Sequence, residues 1–186
     1  MTQHINNVAM IGTGTLGTQI AIQAAYYGYE VRAYDEDPEI LPQMVQKLRG
    51  TMKFLDRSPT MPADEWEKSI SKVQMTKDLD EALNEVDLVI EAIPENLEMK
   101  RTLWSKIDAL APQGAILATN SSSIPISRIE SATKRPEKCL NIHFYQPALS
   151  WNIVDLMGGT KTDPEVLATA RQFVRSIQCI PLTVKK

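Results

Sequence analysis

Cysteine, glycine and long apolar runs are all scarce in this chain: its 186 residues include two cysteines and eight glycines. Cys139 and Cys179 each lie within an apolar stretch and match neither a CxxC pair nor a zinc spacing, which excludes a disulfide framework and a structural zinc site. They read as reduced core thiols. No window approaches the roughly 18–20 apolar residues of a membrane-spanning helix, and the opening segment MTQHINNVAMIG has no basic stretch ahead of a long apolar core. A cytoplasmic location is the resulting expectation. Positive charge is not in excess either: Lys and Arg number 20 against 23 Asp and Glu, a net charge of -3. That balance offers no basic field to nucleic acid or anionic lipid, so the expected partner is a small molecule. Low-complexity tracts and solenoid-period repeats are also missing.

What is there is ordinary globular material, 43% hydrophobic and 23% charged, read as a single domain over residues 1–186. Short runs rich in Val and Ile alternate with amphipathic stretches. VAMIG (8–12) precedes LGTQIAIQAAYYG (16–28), EVRAYD (30–35) and a helical segment from about Pro38 to Leu55. SKVQMT (71–76), a short helix over 78–86, DLVIEAI (87–93), a helix from Asn96 to Leu110 and GAILATN (114–120) continue the rhythm. This alternation predicts an α/β fold, a doubly wound and mostly parallel sheet with helices on both faces, because parallel strands need crossover connections. DLVIEAI and GAILATN read as strands buried on both sides. Gly28 suits the end of the first helix, and Asp163-Pro164 opens another that runs to about Ile177. The last third otherwise reads as strands at 138–147, 152–158 and 179–184.

Gly12-Thr13-Gly14-Thr15-Leu16-Gly17 directly follows the first strand and opens the first helix, and Asp35 falls 18 residues beyond Gly17 at the end of the second strand. Three glycines in six residues prove little alone. With strand, helix and acid all in place, they form the fingerprint of a Rossmann-type dinucleotide site. Gly12 permits the tight turn, Gly14 lets backbone approach the pyrophosphate, and Gly17 lets the helix pack on the sheet. Asp35 would accept the ribose hydroxyls, and Glu36 and Asp37 would repel a 2'-phosphate, so NAD is expected over NADP. Asp35 can equally cap the helix that follows.

Ligands of doubly wound sheets sit beyond the C-terminal strand ends, which directs attention to Pro94-Glu95-Asn96 and Asn120-Ser121-Ser122-Ser123. Here the sequence resembles the NAD-binding domain of the 3-hydroxyacyl-CoA dehydrogenases. The resemblance spans the chain through GTGTLG, VIEAIPENLEMK, ATNSSS and HFYQP, the last followed by an acid twelve residues after its histidine. TNSSS and MGGTKTDPEV are closest to the bacterial 3-hydroxybutyryl-CoA dehydrogenase and diketoreductase branch.

The resemblance implies that His143 is the general base, taking the hydroxyl proton while hydride leaves the same carbon. Asp155, an acid inside the apolar strand NIVDLMG, needs a partner to be buried, and His143 is the natural one. Such a pair would fix the imidazole tautomer and stabilise the imidazolium. By the same resemblance Ser122 hydrogen-bonds the reacting oxygen and the nicotinamide side, and Asn120 holds the nicotinamide portion. Gln146 stands where an asparagine touches the cofactor. Glu95 and Lys100 match positions near the cofactor and crevice, although a dipole-offsetting acid and a solvated helix cation describe them as well. Lys47, Arg49, Lys53 and Arg57 lie on or beside the segment that contacts coenzyme A; a solvated basic face accounts for them equally.

This sequence departs from the family pattern in places. Asp155 replaces Glu, shortening the reach toward the imidazole by one methylene. HFYQP replaces HFFNP, and Trp151 and Asn152 replace smaller or basic residues. The family continues into a helical second domain that closes the crevice, carries a further asparagine and makes most of the dimer interface. Cofactor binding is therefore expected to be better preserved in this chain than turnover. Two readings follow. One is an oxidoreductase acting on a 3-hydroxyacyl-CoA or a related 3-keto compound; the other is an NAD-binding module without catalysis.

Overall fold

A computed structural model describes residues 3–37, 39–52 and 65–184. Eight strands form one sheet in the order β3-β2-β1-β4-β5-β6-β7-β8. The first half is β1 (Asn7–Ile11), α1 (Thr15–Tyr26), β2 (Glu30–Tyr34), α2 (Ile40–Met52), α3 (Trp66–Ile70) and β3 (Val73–Thr76). The second is α4 (Leu79–Leu83), β4 (Leu88–Glu91), α5 (Leu97–Leu110), β5 (Ile116–Thr119), β6 (Cys139–Phe144), β7 (Ile153–Gly158), α6 (Pro164–Ser176) and β8 (Ile180–Thr183). Strands β1 to β6 are parallel, and β7 runs antiparallel to β6. The strand order reverses direction between β1 and β4, the switch point beyond which such sheets bind ligands.

Every residue of β4 and β5 is buried, as expected of strands covered on both faces. Alternate side chains feed two cores. Met10, Ile90, Ala118 and Ile142 pack beneath α1 and α6, while Ala9, Val89 and Leu117 pack beneath α4 and α5, against Trp104 of α5. Cys179 belongs to the first core and Cys139 to the second, so the thiols lie on opposite faces. Both are free, and burial pushes them up to about 11 and about 12 respectively. Among the described residues no helix is long and apolar enough to cross a membrane.

The helix ends follow local chemistry. Asn96 caps α5 by accepting from the Met99 amide at 3.0 Å, and Asp163 caps α6 by accepting from the Glu165 amide at 2.8 Å. Arg135 closes the other end of α5, pairing with Asp108 at 2.7 Å and donating to the carbonyls of Asp108, Ala111 and Pro112. Two expectations are corrected or left open, and one element was not expected. The short helix over 78–86 ends at Leu83, because Glu85 turns the chain with φ +53°. The short helix α3 carries too little periodicity to be foreseen. Pro38, Lys53, Leu55 and Arg57 lie outside the described residues, so the second helix is seen only as α2.

Candidate active site

Gly12 adopts φ +93°, which side chains rarely tolerate, and a Cβ there would lie 2.9 Å from the carbonyl oxygen of Ala92. At Gly17 a Cβ would overlap the carbonyl oxygen of Gly12, so the helix can approach the loop this closely only without a side chain. Gly14 differs: nothing lies within 4 Å of its Cβ position, leaving open space above the loop. Gly14 is also the N-cap of α1 and supplies no side-chain acceptor, and no acid stands in the first turn. The free amides of that turn and the helix dipole thus face space without an internal anion, which fits a pyrophosphate.

Asp35 secures this loop from below. Its Oδ2 accepts the Thr13 amide at 2.7 Å and the Thr13 hydroxyl at 3.0 Å. The capping role weighed for Asp35 falls instead to Asp37, whose Oδ1 accepts from the Glu39 amide at 3.0 Å. Asp35 and Glu36 line a cleft of about 850 Å³ that also holds Gly12, Gly14, Ile93 and Glu95. Leu16 faces a second cleft, and Thr15 is exposed, its hydroxyl 3.6 Å from Met44 Sδ.

The second cleft, about 320 Å³, shares Ala92, Ile93 and Glu95 with the first and brings together Asn120, Ser122, His143 and Gln146. Its floor is an ionic cluster. Lys100 is sealed from solvent and places Nζ 2.6 Å from Glu91 Oε1 and 3.6 Å from Glu95 Oε2. It is no solvated helix charge. Glu91 also accepts from the Trp104 indole at 3.1 Å, the Thr119 hydroxyl at 2.9 Å and the Ile93 amide at 2.8 Å. Sequence reasoning passed over Glu91, although an acid inside the apolar run DLVIEAI carries the same signal that singled out Asp155.

Glu95 reaches from the β4–α5 loop to the serine loop after β5. Its carboxylate accepts the Ser122 amide at 2.8 Å, the Ser123 amide at 3.2 Å, the Ser121 hydroxyl at 2.7 Å and the Ser122 hydroxyl at 3.2 Å. Burial pushes this carboxyl up, but the Ser121 hydroxyl, the Ser122 and Ser123 amides and the Lys100 ammonium together hold it down at about 2. Asn120 is anchored by its carbonyl, which accepts the Phe144 amide at 2.8 Å, so its amino group is the end left for a ligand.

His143 and Asp155 are register partners across the antiparallel β6–β7 pair. Their approach, 4.0 Å from Nδ1 to Oδ2, is an ion-pair distance and longer than a hydrogen bond. Oδ2 instead accepts the Tyr145 hydroxyl at 2.6 Å. The Tyr145 ring lies 4.8 Å from the His143 ring and stacks on Trp151 at 6.4 Å. Tyr145 was not singled out in the sequence, because its reach to Asp155 appears only once β7 is known to lie antiparallel beside β6. Of the basic residues read against coenzyme A, Arg49 pairs with Glu67 at 2.9 Å, Lys47 is engaged within the chain, and Lys53 and Arg57 lie outside the described residues.

Comparison with known proteins identifies the family. A family model described as "3-hydroxyacyl-CoA dehydrogenase, NAD binding domain" matches residues 7–186. The 5-formyl-3-hydroxy-2-methylpyridine 4-carboxylate 5-dehydrogenase of Mesorhizobium japonicum is 33% identical over 98% of this chain and 58% of its own length. The 3-hydroxyadipyl-CoA dehydrogenase of Escherichia coli is 33% identical over 90% of this chain and 35% of its own. A solved diketoreductase structure superposes with a TM-score of 0.90 at 37% identity, covering 99% of this chain and 65% of that one. The chain thus spans about a third to two thirds of the length of these proteins.

Proposed function

Since the chain belongs to the 3-hydroxyacyl-CoA dehydrogenase family, as its NAD-binding domain, we propose that it serves an NAD-dependent oxidoreductase interconverting 3-hydroxyacyl-CoA and 3-oxoacyl-CoA. The observation that carries this reading is the shared wall between the two clefts: Ala92, Ile93 and Glu95 border both the glycine loop and His143. A cofactor in the first cleft and a substrate in the second would meet there. Bound NAD supplies the hydride acceptor. Gly14 and the first turn of α1 hold its pyrophosphate, and Asp35 has acceptor capacity beyond its Thr13 bonds for the ribose hydroxyls. His143 takes the proton of the substrate hydroxyl in oxidation and returns it in reduction. Asp155 stabilises the resulting imidazolium from across the sheet. The Asn120 amino group and Ser122 orient the cofactor amide and the reacting oxygen, on a loop that Glu95 keeps in place.

A second substrate class has its own support. The pyridine carboxylate dehydrogenase and the diketoreductase are named for compounds without coenzyme A, and Arg49 is committed to Glu67. This reading makes the substrate a 3-keto compound free of coenzyme A. NADH oxidation is measured with acetoacetyl-CoA and with a CoA-free diketo ester, alongside calorimetric NADH binding. Turnover of the thioester alone supports the first reading and turnover of the ester alone the second. NADH binding without turnover of either supports instead an NAD-binding module without catalysis. In His143→Ala, turnover is expected to vanish while NADH affinity is kept; an unchanged rate would mean that another group moves the proton.

A further inference from the structure

We propose that Tyr145 is a positioning residue whose hydroxyl holds Asp155 apart from His143 and so sets the strength of their pairing. The inference rests on the reading of His143 as the proton-transfer group. Two groups approach one oxygen, Asp155 Oδ2: the Tyr145 hydroxyl donates to it at 2.6 Å, and the His143 ring nitrogen Nδ1 stands 4.0 Å away. The nearer bond is of full strength, while the farther contact is Coulombic only. The aspartate side chain is short, and with its oxygen tethered to Tyr145 it cannot close on the imidazole without leaving the phenol. Asp155 in turn raises the pKa of the phenol by accepting its hydrogen bond, keeping Tyr145 protonated as the donor. The two positions where this sequence departs from the family's phenylalanine and glutamate are thereby bonded to each other.

The remaining ionisable groups near His143 do not substitute for Asp155. Glu95 and Lys100 share its cleft, but Glu95 is bound to the serine loop and Lys100 to Glu91. At this separation the carboxylate supports a charged imidazole less than a hydrogen-bonded partner would.

Tyr145→Phe removes only the hydroxyl of an exposed ring, so the fold has no reason to change. The His143 Nδ1 proton and nitrogen shifts are read by long-range proton–nitrogen correlation in the NADH complex; the chain's only other histidine is His4. Tyr145→Phe is expected to move Nδ1–H downfield, as Asp155 closes on the ring. The alkaline limb of the reductive pH–rate profile is expected to move to higher pH by about half a unit or more. Both effects should disappear when Tyr145→Phe is combined with Asp155→Asn. Unchanged shifts, a limb moving to lower pH, or an effect that persists without the Asp155 carboxylate would each overturn the proposal. If neither protein turns over keto substrates, the function proposed above fails while the spectroscopic comparison still decides the role of Tyr145.

Discussion

Lys100 reaches down from α5 to place its ammonium 2.6 Å from the Glu91 carboxylate, with both side chains shut off from solvent. A buried pair of this kind adds little net stability compared with apolar packing, but removing one partner leaves a bare charge. Lys100→Met is therefore expected to destabilise the domain by about 3–5 kcal/mol in urea unfolding. Adding Glu91→Gln should recover part of that loss. A double variant less stable than Lys100→Met would show that the indole, hydroxyl and amide donors alone satisfy Glu91.

The glycine loop allows a clean separation of folding from binding. Gly14→Ala introduces a methyl into open space at φ -60°, so stability should change by less than about 0.5 kcal/mol. The same methyl stands where the pyrophosphate approaches, and NADH affinity should fall about tenfold or more by calorimetry. Gly17→Ala should do the reverse in order of severity, costing about 1–3 kcal/mol or more in unfolding because its methyl meets the Gly12 carbonyl.

Asp35→Ala should weaken NADH binding by about ten- to a hundredfold, the worth of hydrogen bonds to a charged group. Because Asp35 also holds Thr13, the control is Thr13→Val, which loses the hydroxyl bond but keeps the amide bond. An equal loss in the control would assign Asp35 to loop support rather than to the ribose.

Glu95 makes a pH prediction. Its carboxyl is held at about 2 in the fold against an ordinary 4.5. The unfolded chain thus takes up its proton first, and the stabilising contribution, complete above 4.5, is lost as pH falls toward 2. In acid titrations the stability of Glu95→Gln should fall less steeply than that of the wild type across this window. Parallel curves would mean that the serine loop does not depend on the carboxylate charge.

The repeating half of the fold was legible because its signals are local. The alternation of apolar runs, Gly28 at φ +92° and the Asp163 cap all sit within a few residues of what they determine. The glycine loop and Asp35 belong to the same class. The antiparallel turn of β7, and with it the Tyr145–Asp155 bond, depends on pairing between segments whose order in the sheet no local pattern specifies. The roles of Glu91 and Lys100 were hidden for a related reason. Lys100 shares the buried face of α5 with Trp104 and Ile107, but a lysine reads as a solvated charge until Glu91 is placed against it.

The serine loop after β5 would ordinarily be a floppy segment, three small polar residues in a row. Here the Glu95 carboxylate gathers its amides and hydroxyls, and Asn141 adds a bond to the Ser121 carbonyl at 2.8 Å. The loop therefore surrenders its conformational entropy when the chain folds and not when a ligand arrives. On this side of the crevice, recognition is a matter of fit to a rigid rim, and whatever adjustment accompanies binding has to come from elsewhere in the molecule.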